Sequence, residues 1–100
     1  MLCRLALDVT SRQAWVDGRA LDLTRRETDL LEQLMRAAGR VVVKDTLEER
    51  LYSFDEPVTA NALEAAVSRL RKRLANAQAG VRIETKRGIG YSLIPGENTA

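Results

Sequence analysis

The stretch from Asn61 to Leu74, NALEAAVSRLRKRL, constrains this chain more than any other. At 3.6 residues per turn, Leu63, Val67, Leu70 and Leu74 fall on one helical stripe. The opposite side collects Asn61, Ala65, Ser68, Arg69 and Lys72, with Arg71 and Arg73 on the flanks. The stripe needs a core to cover it. The back is short, polar and cationic, a shape that lets a helix axis come close to base edges in the major groove of B-DNA. Taken alone, the pattern fits a solvated surface helix better. The C-terminal third of the chain shifts that balance.

One hundred residues suffice for one domain with a modest core. With 45% apolar and 30% charged residues, the chain reads as globular rather than disordered. No apolar run approaches the length of about 20 residues that spans a bilayer, so no membrane partner is expected. The opening MLCRLALDVT turns polar too early for a signal peptide. A single cysteine, Cys3, has no internal partner, which suits a reducing cytoplasm. The absence of histidine removes the commonest general base and the commonest zinc ligand. Without a phosphate-cradling GxxxxGK[ST] loop or a GxSxG elbow, neither an enzyme nor a cofactor is implied.

Charge is unevenly spread. From Arg69 to Arg87 there are seven bases and one acid, Glu84, a surplus of six positive charges; with a net charge of +2, the other residues carry −4. Such asymmetry suggests a polyanion-facing end and a separate acidic surface.

The order of elements follows from local signals. Leu5, Leu7 and Val9 share one side of a first strand. Asp17-Gly18 is a turn between short strands, which makes the N-terminal quarter a small antiparallel sheet. Trp15 reads as a packing residue there. Thr24 to Glu27 forms a capping box ahead of a helix with Leu30, Leu31, Leu34, Met35 and Ala38 inward, ended by a left-handed Gly39. Its N-terminal amides are possible phosphate binders. Val41 to Val43 reads as a brief strand or extended link. A second helix runs from Lys44 to about Leu51, with Leu47 and Leu51 inward and no capping side chain at Val43. Ser53 to Val58 is a loop, and Thr59 or Asn61 caps the third helix, about residues 59–76. Asn76 to Gly80 is a loop. Val81 to Thr85 and Tyr91 to Ile94 form a hairpin around a cationic, glycine-bearing tip, with Tyr91 packed beneath it. The fold class is therefore α+β: a winged helix-turn-helix over residues 1–96, with a polar tail at 97–100. A cationic third helix beside a cationic wing can hold two grooves at once. The helix takes the major groove and Arg87 the minor groove, where the backbone potential draws guanidinium groups inward.

The segments LTRRETDLLEQLMRAAGRVV, LEERLYSFDEPVTANALEAAVSRLRKRL and IETKRGIGYSLI carry a resemblance over nearly the whole chain. The chain resembles the effector domain of an OmpR/PhoB-type two-component response regulator, and is similar to PmrA- and QseB-like members. The resemblance implies a transcription factor that binds double-stranded DNA as tandem copies on direct-repeat promoter half-sites. It implies Arg69 as the main base-contacting residue, with Glu64, Ala65 and Ser68 beside it. Asn61, Arg71 and Lys72 would meet the DNA backbone, as would Thr85 and Lys86 on the wing, and Arg87 would enter the minor groove. The segment with Tyr52, Phe54, Asp55 and Glu56 corresponds to a loop offered to RNA polymerase. A receiver domain would belong to the full-length protein, of which this chain is expected to be a part.

Some positions depart from the pattern. Val43 stands where a serine cap is usual, and Ala65 and Ala66 are small for a reading face. Arg71 and Arg73, on the flanks, suit a structural pairing with an acid such as Glu64 as well as a phosphate contact. An alternative from another class is a winged-helix protein-interaction module that uses the acidic part and the loop around Phe54.

Overall fold

Asp17 and Gly18 hold φ angles of 52° and 80°, the pair of left-handed residues that a type I′ turn requires. Gln13–Val16 (β2) therefore folds back on Arg19–Leu21 (β3), with Val16 opposite Arg19. Leu5–Asp8 (β1) pairs antiparallel with β2, Leu5 opposite Val16, and completes the sheet β1-β2-β3. The computed structural model describes residues 5–52 and 61–96. The expected tail at 97–100 and the possible cap Thr59 lie outside the described residues. Val9, expected to share a strand side with Leu5 and Leu7, is exposed beyond β1. The Asp8 side chain accepts the Thr10 amide at 2.9 Å, which starts a turn before Val9 can extend the strand.

The capping box forms as expected. Thr24 Oγ1 accepts the Glu27 amide at 3.2 Å, and Glu27 Oε1 accepts the Thr24 amide at 3.0 Å. The helix that follows, Arg25–Arg36 (α1), buries Leu30, Leu31 and Leu34, with Met35 half-buried. It ends earlier than Gly39 alone suggests. Ala38 is already left-handed (φ 52°), followed by Gly39 (φ 89°). Ala38, expected on the core face, is therefore exposed beyond the helix end.

Val42–Val43 (β4) is a true strand. It pairs with Gly90–Pro95 (β6), which pairs in turn with Val81–Lys86 (β5), giving a second antiparallel sheet in the order β4-β6-β5. The hairpin strands run to Lys86 and Gly90, so the tip is shorter than expected: Arg87, Gly88 and Ile89. At Gly90 a Cβ would lie 2.0 Å from the Val42 carbonyl oxygen, so β4 and β6 meet too closely there for any side chain. Lys44–Leu51 (α2) begins without a side-chain cap at Val43, as expected. The Lys44 amide instead donates to the Ile89 carbonyl at 2.9 Å, so the hairpin turn serves the helix start.

Ala62–Asn76 (α3) buries Leu63, Val67, Leu70 and Leu74, the whole predicted stripe, and also Ala66. Ala66 is therefore a core residue and no part of a reading face. Asn61 makes no side-chain cap; it supplies only its carbonyl, to the Ala65 amide at 2.9 Å. α1 packs on α2, α3 and β6. Residues from all three helices and both sheets form one core, which includes Leu5, Val16, Leu47, Ile83 and Tyr91. Full burial of a leucine stabilises by about 1.5–3 kcal/mol, so the α3 stripe largely decides which way that helix faces.

The first sheet is clamped to α1. Arg12, left-handed at φ 61°, donates to Asp29 and, at 2.6 Å, to Glu32 Oε1, while Arg36 pairs with Glu32 Oε2 at 2.7 Å. The hydrogen bond from Arg12 holds the Glu32 carboxyl below its ordinary value of 4.5. Asp29 and Glu32 are thus matched by arginines, so neither contributes to the separate acidic surface that the charge count suggests.

Gly90→Ala is expected to cost at least about 1–3 kcal/mol, as overpacking does, read as a lower urea midpoint with unchanged slope. Glu32→Gln is expected to cost about 0.5–1 kcal/mol at neutral pH, the range of partly exposed pairs. Because the native carboxyl titrates below its unfolded value, that contribution is present above about pH 4.5 and is lost as pH falls through the lowered native value. Urea midpoints of wild type and variant should converge in acid.

Candidate nucleic-acid interface

With the α3 stripe held in the core, Glu64, Ser68, Arg69 and Lys72 are turned to solvent, and Ala65 is half-buried among them. Asn61 is exposed at the helix start. On the second sheet, Thr85, Lys86, Arg87, Gly88 and Ile89 are all exposed. Glu64 of α3 and Lys44 of α2 line a cleft together with Thr85, Lys86 and Arg87 of the hairpin. The sequence-predicted residues therefore lie on two adjoining elements, as the two-groove reading requires.

Besides the shared core, Arg71 ties those two elements together. Its Nε and Nη2 donate to the Ile83 carbonyl at 3.2 and 3.0 Å, and Nη2 also donates to Thr85 Oγ1. Arg71 was expected to contact the DNA backbone. Its guanidinium is turned onto β5, where it bolts α3 to the hairpin, and Thr85 shares that bolt.

Arg69 is 56% exposed, with its Nε 3.5 Å from Glu27 Oε2. Arg73 Nε lies 2.7 Å from Glu27 Oε1. The acid that serves Arg69 and the flank arginine Arg73 is therefore Glu27 of α1, fully buried, and no ion pair joins Arg71 or Arg73 to Glu64 among the described residues. Sequence reasoning gave Glu27 only its capping role. The missed signal is the spacing of Arg69 and Arg73, four apart and so one above the other on the helix, where a buried carboxylate finds the partners it needs. Lys86 Nζ pairs with Glu84 at 3.1 Å, a partly exposed contact of small worth. Lys72 and Arg87 make no hydrogen bond or ion pair with any described residue. Such free cations suit counterion release from a polyanion.

Tyr52 is half-buried, with the Arg26 guanidinium 4.2 Å from its ring centroid, a cation–π contact. Of the expected polymerase-facing loop, Phe54, Asp55 and Glu56 lie outside the described residues. Among the described residues, no helix is long and apolar enough to cross a membrane, and no group of three or more His, Cys, Asp or Glu side chains could hold a metal ion.

Residues 18–93 match the family described as transcriptional regulatory protein, C terminal. A probable transcriptional regulatory protein of Sinorhizobium fredii, y4xI, is 49% identical over 89 residues, 89% of this chain and 39% of that protein. Transcriptional regulatory protein QseB of Escherichia coli O157:H7 is 46% identical over 87 residues, 87% of this chain and 38% of that protein. The chain thus spans about two-fifths of the length of these curated relatives. The DNA-binding domain of Klebsiella pneumoniae RstA, solved in complex with the RstA box, superposes with a TM-score of 0.76 at 32% identity over 92% of each chain.

Arg71→Ala is expected to leave the helical core folded while lowering stability by about 1.5–3 kcal/mol, the worth of hydrogen bonds involving a charged group. Faster amide hydrogen exchange confined to β5 and β6 would be the mark of a loosened hairpin.

Proposed function

Because the chain belongs to the family of C-terminal domains of transcriptional regulatory proteins, we propose that it is the sequence-specific, duplex-DNA-binding effector domain of a response regulator. The observation that carries this reading is the joint exposure of the α3 back and the hairpin tip on two elements tied by Arg71. In this reading α3 enters the major groove. Arg69 is the main base-reading residue, and a bidentate arginine–guanine contact is its natural chemistry. Glu64, Ala65 and Ser68 flank it. Asn61, Lys72 and Lys86 meet phosphates, and Arg87 enters the minor groove beside the same site. Arg71 acts on DNA only indirectly, by fixing the angle of the wing.

The reading extends to the assembly. Tandem copies bind direct-repeat promoter half-sites, the segment from Tyr52 to Val58 faces RNA polymerase, and a receiver domain in the full-length protein governs occupancy. The relatives named as transcriptional regulatory proteins are each more than twice the length of this chain, which supports a further domain in the full-length protein. The setting is the cytoplasm, where the promoter DNA is.

Selection of bound duplexes from a random pool should return a direct repeat. On the selected site, Arg69→Ala is expected to cost about 1–3 kcal/mol and to flatten preference among base variants. Lys72→Ala should weaken all duplexes alike and lower the salt slope by about one. Unchanged discrimination by the Arg69 variant would count against the assignment.

A further inference from the structure

Glu27 is the one fully buried acid among the described residues. Its two oxygens have different surroundings. Oε1 accepts the Thr24 amide at 3.0 Å and lies 2.7 Å from Arg73 Nε. The Arg73 contact is short but misaligned, and Arg73 Nε is buried without a hydrogen bond, so Arg73 supplies charge more than a directed bond. Oε2 is likewise buried without a hydrogen bond, and Arg69 Nε stands 3.5 Å from it. A buried acceptor left without a donor is unfavourable, so Oε2 attracts the Nε–H of Arg69. Arg69 has no other ion pair or hydrogen bond with a described residue, and its side chain is 56% exposed.

The guanidinium is a rigid plane. Tethering it at Nε, the nitrogen nearest the helix, sets the direction of the plane and leaves both terminal nitrogens free. Those two nitrogens are the ones a guanine receives at O6 and N7. The tether comes from the first turn of α1, an element that has no base-reading role in the proposed interface.

We propose that Glu27 is a positioning residue for base readout: its buried Oε2 holds Arg69 by Nε and presents the two terminal nitrogens, already oriented, to the major groove. This rests on the DNA-binding reading above. Glu27 thereby joins two tasks, starting α1 and aiming α3's reading side chain. Its effect is on discrimination rather than on general affinity, because it touches no phosphate-binding cation.

The test uses this chain with its selected duplex and a random duplex. Glu27→Gln retains the capping box, which glutamine also completes, and removes the charge. It is expected to lower the ratio of selected-site to random-duplex affinity by about threefold to tenfold, the lower range of coupling between contacting residues. Random-duplex affinity should stay within about twofold, since phosphate contacts are retained. In an Arg69→Ala background, Glu27→Gln should lower the ratio no further. If Arg69→Ala flattens discrimination and Glu27→Gln does not, the positioning role is wrong and DNA readout by Arg69 stands. If Arg69→Ala itself changes nothing, the DNA-binding reading fails and takes this inference with it. Equal weakening of both duplexes by Glu27→Gln would show a merely structural role. Nitrogen-15 NMR of the unmodified protein supplies a measurement independent of variant folding. The Arg69 Nε–H should exchange with water more slowly than that of Arg87 at the wing tip, and equal rates would mean that no tether exists.

Discussion

A carboxylate buried at the junction of two helices sets the frame of this domain. Glu27 closes the first turn of α1 by accepting the Thr24 amide and lies against two arginines of α3. Burying a carboxylate costs several kcal/mol unless charge and hydrogen bonds offset it. The arrangement therefore favours one rotation of α3 about its axis, the rotation that also puts Leu63, Val67, Leu70 and Leu74 into the core. Apolar burial supplies most of the energy. The ion-pair cluster adds direction, since leucines alone tolerate small rotations that would carry an arginine away from its partner.

Much of this was legible in the sequence because it rests on local or periodic signals. Asp17-Gly18 specifies its turn by backbone conformation alone, and Thr24 to Glu27 specifies a helix start within four residues. The stripe in α3 is periodic, so its burial and the exposure of Ser68, Arg69 and Lys72 follow together. The less legible features are those in which distant residues meet. No local signal says that Val42 and Val43 join the C-terminal hairpin, because that pairing spans nearly half the chain. The destinations of Arg71 and Arg73 were equally hidden. A cation on a helix flank looks the same whether it ends on solvent, on phosphate, or on the Ile83 carbonyl.

The structure divides its cations by task. Arg12, Arg71 and Arg73 are turned onto protein partners: Arg12 ties the first hairpin to α1, Arg71 ties α3 to the strand that follows it, and Arg73 ties α3 back to α1. Lys72 and Arg87 have no described partner, and Arg69 approaches Glu27 only with its Nε, at 3.5 Å. The excess of positive charge between residues 69 and 87 therefore overstates what a polyanion would meet. Part of it is fastened into the fold, and only the remainder would govern salt dependence.

The bond from the Lys44 amide to the Ile89 carbonyl has a mechanical corollary. Beside it, β4 runs against β6 so closely at Gly90 that no methyl group would fit between them. The hairpin is thus hinged at a point where swinging it would uncap α2 and open the ladder together. Its resting pose is the one it carries into any encounter, and the entropy of arranging it has been given up during folding rather than on contact.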